Sequence, residues 1–361
     1  MTDRIVSTPN VLIVGAGPTG LTAAVELARH GIVADVIDRK TDASTLSRAV
    51  GIMPRSLEIL APSGVSARLL DEGVKVREMV GYVGQRKVVT VPLYGVHPRQ
   101  DFGLALAQDR TETALRDALH GYGGTVTYGC ELSGLRQDGE QVIVETQDGR
   151  ERVVDYVIGA DGSRSATRQA LGIEFIGYDL PETWSIADVD AANWTHAEGL
   201  TFCILDEGRI VVVAPLEQER FRVIANTEDA LATLPLHLDV TNIRRAGQFR
   251  ISVRQVSQYG LGRVFLAGDA AHCHSPAGGR GMNLGIADAA ELATRLVESR
   301  LEGYSASRHA VGAQTIADSE RARRWLTAAN PLMRAATNAG FGLLNLFPTL
   351  KRPVAHAFLG G

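Results

Sequence analysis

Several things are scarce in this sequence, and each scarcity excludes something. Among 361 residues only three are cysteine, at Cys130, Cys203 and Cys273. An odd count with no closely spaced pair argues against a disulfide framework and against a zinc site. Neither sign of charge dominates: 37 Lys plus Arg stand against 41 Asp plus Glu, a net charge of -4. That balance points neither to nucleic acid nor to an anionic membrane. No secretory leader opens the chain, so a reducing, cytoplasmic setting is the expectation. The stretch 325–347 is apolar with Arg334 as its only charge, yet Asn330, Pro331, Asn338 and Asn345 fall in it. It reads as helices packed on the body, not as a membrane span. There is no internal repeat, no disordered linker and no Ser-His-Asp or Cys-His arrangement that suggests a protein nucleophile. His272, Cys273 and His274 stand together, but inside a glycine turn, and no metal is expected there.

What is abundant is glycine, 38 residues, without periodicity. Many of these glycines sit in turns placed directly after short apolar strands. Val11 to Val14 reads as a buried strand that runs into a glycine turn, a helix over about 20–30 and a second strand over 33–37. This is a βαβ unit at the start of the chain. Residues 111–120 read as an amphipathic helix, 126–154 as short strands with turns, and 156–158 as another buried strand. From 200 to 226 the pattern becomes an antiparallel meander, LTFCIL, RIVVVA and RFRVIAN. Residues 264–267 are again a buried strand, and helices follow. The expected fold is α/β: a Rossmann-like dinucleotide domain in three pieces (1–75, 106–173 and 259–330), interleaved with a β-rich substrate domain (76–105 and 174–258), then a C-terminal helical segment (331–361). Interleaving of this kind places a cleft between the two domains.

Three glycine turns carry the chemistry. In VLIVGAGPTGLTAAVELARHGIVADVIDR, Gly15, Gly17 and Gly20 form G-x-G-x-x-G between a strand and a helix. Gly15 permits the tight turn, Gly17 lets the backbone approach a pyrophosphate, and Gly20 lets helix and strand pack closely. Pro18 and Thr19 open the helix, whose N-terminus favours phosphate. Asp38, followed by Arg39, ends the second strand, where a carboxylate accepts both ribose hydroxyls. An acid there repels the 2′-phosphate of NADP, so the turn suits FAD or NAD. The second turn, GDAAHCHSPAGGRGMNLG, begins at Gly268 and Asp269. Asp269 suits the hydroxyls of a ribityl chain, which FAD has and NAD lacks. Gly278, Gly279 and Gly281 follow, and Met282 and Asn283 open a helix whose dipole would stabilise a reduced, anionic flavin ring. The third turn, DGSRSATR, contains Asp161, Gly162, Ser165 and Arg168. Taken alone it reads equally well as a helix cap with a solvated arginine.

Together these residues resemble the single-component FAD-dependent aromatic hydroxylases, the para-hydroxybenzoate hydroxylase family. G-x-G-x-x-G, D-G-x-x-S-x-x-R and G-D-A-A-H…P…G-G-x-G-x-N, the last with His272 and Pro276, occur in the family's order over roughly residues 8–330. SRAVGIMPRSLEIL looks like the segment whose arginine reaches the cofactor, here Arg48. LAQDRTETALRDAL looks like the segment whose glutamine contacts the ribityl chain, here Gln108. The resemblance implies non-covalent FAD, with NAD(P)H as a transient co-substrate that has no separate domain of its own, and oxygen. It implies hydroxylation of an aromatic or polyketide-like small molecule through a flavin hydroperoxide, the flavin carrying the hard chemistry. The chain ends at Gly361 and is expected to be a short form without the thioredoxin-like C-terminal domain of larger relatives.

Arg280 departs from the Gln or Lys found in many relatives, and Ser275 stands where a second proline is common. Arg280 is expected near the flavin edge, as a cation that raises its potential or meets a substrate anion, or else turned to solvent. Arg48 and Arg280 are the candidate catalytic residues, and Arg48 and Arg168 the arginines expected to receive nicotinamide. Tyr82, His97 and Phe202 are the expected wall of a substrate pocket under the β-rich segment. Open alternatives are an oxidoreductase of the same fold without oxygen insertion, Baeyer–Villiger chemistry and a non-catalytic flavin module. A W-x-W-x-I-P halogenase segment is absent, and so are the redox cysteine pair and second G-x-G-x-x-G of a disulfide reductase. NADH versus NADPH and the oligomeric state are not written in the sequence.

Overall fold

The computed structural model describes residues 8–42, 49–98 and 100–360. Five strands lie parallel in one sheet, in the spatial order 264–266, 156–159, 11–14, 35–38 and 126–128, and Gly260–Leu261 adds an antiparallel edge. The three strands 264–266, 156–159 and 11–14 are buried on both faces, which is why they read as unbroken apolar runs. Val11, Ile13, Val36, Ile158 and Leu266 face the helical core. Leu12, Val14, Ile37, Val157 and Val264 face Leu132, Val142, Val144 and Val154 of a three-stranded antiparallel sheet formed by residues 132–154. On the helical side, Pro18–Arg29 packs against Gln108–Gly121 and Gly281–Val297. The first helix starts at Pro18 instead of 20, because proline suits a first helical position whose N–H has no partner. The second strand starts at Asp35 instead of 33, leaving Val33 exposed.

The meander belongs to a seven-stranded sheet in the order 239–249, 184–192, 220–225, 210–217, 199–204, 78–83 and 86–92. Its pairings are antiparallel except for 199–204 beside 78–83. Alternation along these strands divides the residues between two cores. Tyr82, Cys203, Val211, Val213, Phe221 and Val223 face one. Leu200, Phe202, Met79 and Val89 face the other, which also takes Met53 and the C-terminal helices.

Two small sheets stand where the chain passes between these bodies. Gly51–Ile52 and Val74–Val76 both pair with Gly103–Ala105. Ser252–Val256 pairs with Phe175–Asp179 and with His272–Cys273, directly after the G-D turn. The helices Pro331–Leu346 and Lys351–Leu359 pack on strand Arg86–Pro92 through Phe341, Leu344, Ala355, Phe358 and Leu359. Their outer side leaves Leu332, Leu346 and Phe347 exposed. Among the described residues no helix is long and apolar enough to cross a membrane.

Candidate functional site

The first turn is held from behind. A side chain on Gly15, at φ +107°, would lie 2.3 Å from the Ala160 carbonyl oxygen, and one on Gly20 would lie 1.9 Å from that of Gly15. Gly17 differs: a Cβ there meets nothing within 4 Å, and its φ of -80° is open to any residue. Neither packing nor conformation demands that glycine, so what remains is room for something outside the protein. Asp38 is buried at the end of its strand. Its carboxylate accepts the Ala16 N–H at 2.7 Å and the Lys40 N–H at 2.8 Å, which anchors the turn to the strand end. Arg39 is exposed. Thr19 is wedged against Gly268 and Gly285, where added Cβ atoms would come within 2.4 and 2.3 Å of its hydroxyl oxygen. Its side chain therefore packs the first helix on the later one and does not point at a ligand. Arg48 lies outside the described residues.

The second turn rests on a buried ionic network. Asp288 accepts the Gly268 N–H at 2.9 Å and His272 Nε2–H at 2.6 Å through one oxygen, and Arg308 Nε–H at 2.6 Å through the other. Burial pushes the Asp288 carboxyl up, but His272, Arg308 and the Gly268 amide outweigh it and hold the group below the ordinary carboxylate value. Gly268, at φ +61°, is thereby fixed, and Asp269 beside it is exposed. Among the described residues the Asp269 carboxylate has no hydrogen-bond partner.

After the turn the chain folds back through Pro276 to a loop whose Gly278 and Gly279 have φ of +94° and +62°. The helix starts at Gly281, and its first bond runs from the Leu284 N–H to the Arg280 carbonyl. The amides of 281–283 precede that bond and have no intrahelical partner. Asn283 is fully used by the protein: its Oδ1 accepts the Met53 N–H and the Ser56 hydroxyl, both at 2.8 Å, and its Nδ2 donates to the Gly51 and Gly279 carbonyls. Met282 turns into the helical core. For both residues, then, only the backbone is left for a ligand. Arg280, expected near a flavin edge or turned to solvent, is held by the protein itself. Its guanidinium donates to the Ala357 carbonyl at 2.5 Å and stands 3.8 Å from Asp318, which ties the loop to the C-terminal helices. His274 lies under the loop, with Nδ1 2.8 Å from the Ser275 carbonyl and Nε2 buried without a partner. Burial pushes its imidazole down.

The D-G turn is a helix cap with a buried arginine. Asp161 accepts the Thr167 N–H at 3.0 Å and the hydroxyls of Ser165 and Thr167, while Ser165 accepts the Arg168 N–H. Arg168, expected to meet nicotinamide or solvent, does neither. It donates to the Ala270 and Ser163 carbonyls, both at 2.9 Å, and stacks over Phe175, so it clamps this turn to the G-D turn. Its buried guanidinium is not presented to an incoming nucleotide. Gln108 opens its helix with Oε1 accepting the Ala49 N–H at 3.2 Å and Nε2 donating to Glu112 at 2.8 Å. Burial raises the Glu112 carboxyl.

Of the expected pocket wall, only Phe202 lies on the face that meets Met53, and it packs against Phe341 with ring centroids 6.3 Å apart. Tyr82 is one register step from Gly81 and faces the opposite core, where its hydroxyl meets His196 Nε2 at 2.8 Å. His97 stands in the loop after the last strand of the sheet, 3.9 Å from Glu58. Met53 links the wall to the glycine loop, its Cε 3.8 Å from where a Gly279 Cβ would sit. An open cleft of about 480 Å³ is lined by Glu72, Leu106, Arg110, Glu217 and Gln218. The Asp288–Arg308 network and a buried Asp188–Arg222 pair were not anticipated. Their signal was a charged residue interrupting an apolar helix, LGIADAAEL, and a strand, RFRVIA.

The donor set fits FAD. Open space before Gly17 suits a pyrophosphate, the strand-end Asp38 suits a ribose, and exposed Asp269 suits a ribityl chain. The unpaired amides at 281–283 suit an electron-rich ring edge. Residues 8–235 and 227–319 match a family model described as FAD binding domain. The chain is 34% identical over 385 residues to 6-methylpretetramide 4-monooxygenase of Streptomyces rimosus, covering 98% of this chain and 68% of that one. It is 34% identical over 309 residues to pentachlorophenol 4-monooxygenase of Sphingobium chlorophenolicum, covering 79% of this chain and 57% of the other. Its fold is that of p-nitrophenol 4-monooxygenase from Pseudomonas putida DLL-E4, with a TM-score of 0.87 over 97% of each chain at 23% identity. The chain belongs to the FAD-dependent aromatic hydroxylase family.

Proposed function

We propose that this chain is an FAD-dependent monooxygenase that uses NAD(P)H and oxygen to hydroxylate a phenolic or polyketide-like ring. One observation carries the proposal beyond family membership. Gly17, Asp269 and the amides of 281–283, which the protein itself leaves open, are the groups that a dinucleotide with a ribityl chain and an anionic ring would take. The relatives named above, a pretetramide oxygenase and a chlorophenol oxygenase, give the substrate class.

When bound and reduced, FAD supplies activation of oxygen and its transfer to the ring. The chain's residues supply the rest. Gly15, Gly17, Pro18, Thr19 and Gly20 shape the pyrophosphate turn. Asp38 receives the ribose hydroxyls with Arg39 at the rim, and Asp269 and Gln108 receive the ribityl chain. Asp161 holds the turn beside Gly15. Gly279, Gly281, Met282 and Asn283 present backbone donors that stabilise negative charge at the ring edge. Phe202 and Met53 provide an apolar wall that excludes water and presents a flat surface to an aromatic ring. Residues 76–105 and 174–258 make up the substrate side of the cleft. Arg48 stays a candidate for the nicotinamide path.

The test is coupling. NAD(P)H consumption by the purified, FAD-loaded protein should rise with a phenol or fused-ring polyketide and yield hydroxylated product. If all reducing equivalents go to hydrogen peroxide across both ring classes, the chain is an oxidase of this fold.

A further inference from the structure

The seven-stranded sheet buries a charge pair that neither folding nor the reading above requires. Arg222 is fully buried on the same sheet face as Phe202. Its Nε and Nη2 donate to the two oxygens of Asp188, both at 2.6 Å. Arg220 approaches Asp188 to 3.9 Å and is itself held by Glu217 at 2.7 Å. A buried ion pair is a poor device for stability, because desolvation offsets the attraction and a well-packed apolar pair does as well. The remaining arm of the fork leaves the sheet. Nη1 of Arg222 donates to the Ala49 carbonyl at 3.2 Å.

Ala49 is gripped from the other side. Its N–H donates to Gln108 Oε1 at 3.2 Å, and the next residue, Val50, accepts the Leu106 N–H at 3.0 Å. Gln108 is itself braced by Glu112. A line of hydrogen bonds thus runs from the sheet that walls the substrate, through the carbonyl and the amide of Ala49, to the residue proposed to hold the ribityl chain. An arginine fork suits this role, because its planar donors fix direction as well as distance.

We infer that Asp188 and Arg222 are positioning residues that set the register between the substrate wall and the cofactor through Ala49 and Gln108. The inference rests on the function proposed above. A ring displaced from the reacting atom by even a small distance loses rate steeply. Disturbing the pair should therefore spoil oxygen transfer before it spoils cofactor binding.

Two variants test this on FAD-loaded protein. Arg222→Lys keeps a cation beside Asp188 but cannot make the fork to Ala49. The double replacement Asp188→Leu with Arg222→Met removes the charges together, so neither is left unpaired. In both, FAD affinity should stay within about threefold of the parent and the melting temperature should hold. The visible band of the bound flavin should shift and its fluorescence should become more quenchable by iodide. Product formed per NAD(P)H should fall about five- to tenfold, the scale of one lost hydrogen bond. A parent-like flavin spectrum, quenching and coupling in both variants would overturn the inference. So would a loss of FAD and melting temperature in both with coupling unchanged on the flavin that remains. If the parent hydroxylates no ring, the proposed function fails, and the spectral and quenching shifts still decide the role of the pair.

Discussion

Gly17→Val places two methyl groups in the space that the protein leaves open before the first turn. FAD binding should be abolished while the apoprotein keeps its melting temperature, as titration of flavin fluorescence would show. Retained binding would move the pyrophosphate elsewhere. Asp38→Ala should weaken FAD by about 1–3 kcal/mol, the range for hydrogen bonds to a charged group. His274 gives a pH dependence. Burial pushes its imidazole below the ordinary 6.5, against the Ser275 carbonyl, which raises it. The unfolded chain therefore binds the proton more readily, and stability is lost as pH falls from about 6.5 through the lower folded value. His196 is depressed by burial as well and adds in the same sense. His274→Gln should flatten the fall in melting temperature between about pH 7.5 and pH 5.5, and an unchanged slope would remove His274 from the account. Arg168 shows why single residues were hard to read. Its spacing after Asp161 is visible in the sequence, but the two carbonyls that take its guanidinium are not.

At the scale of elements, the strand-turn-helix units were legible because parallel strands buried on both faces leave unbroken apolar runs, and glycines punctuate them. What supports those turns was not. Asp288 comes 20 residues after Gly268, beyond the Pro276 loop, and no local rule in the sequence links the two. Asp288→Asn takes the carboxylate at 2.6 Å from buried Arg308 and leaves it only Glu291 at 3.3 Å, which should cost about 3 kcal/mol of stability, measured by denaturant unfolding. A loss within the usual surface range would mean that the network is ornamental. Which expected wall residues share a face was not legible, for the same kind of reason. Tyr82 and Phe202 lie on neighbouring strands, and a single register step puts them on opposite faces. Phe202→Ala should divert reducing equivalents to peroxide without loss of FAD, whereas Tyr82→Phe should leave coupling unchanged.

For the whole molecule, the order of the three glycine turns was enough to anticipate an FAD-binding α/β body interleaved with a β-rich sheet. The small sheets at the two crossings escaped notice, since strands of two or three residues carry too little pattern to read. The docking of Arg280 on Ala357 escaped for another reason: it joins a loop to a helix near the chain's end, and no local rule links them. The central claim is that this architecture inserts oxygen into an aromatic ring. The most direct measurement is turnover of a phenolic or fused-ring substrate under oxygen-18 gas, with NAD(P)H, product and peroxide counted together. The account predicts a hydroxylated product carrying one labelled oxygen atom, formed in step with substrate-stimulated NAD(P)H oxidation. Product without label, or label recovered only in peroxide, would contradict it.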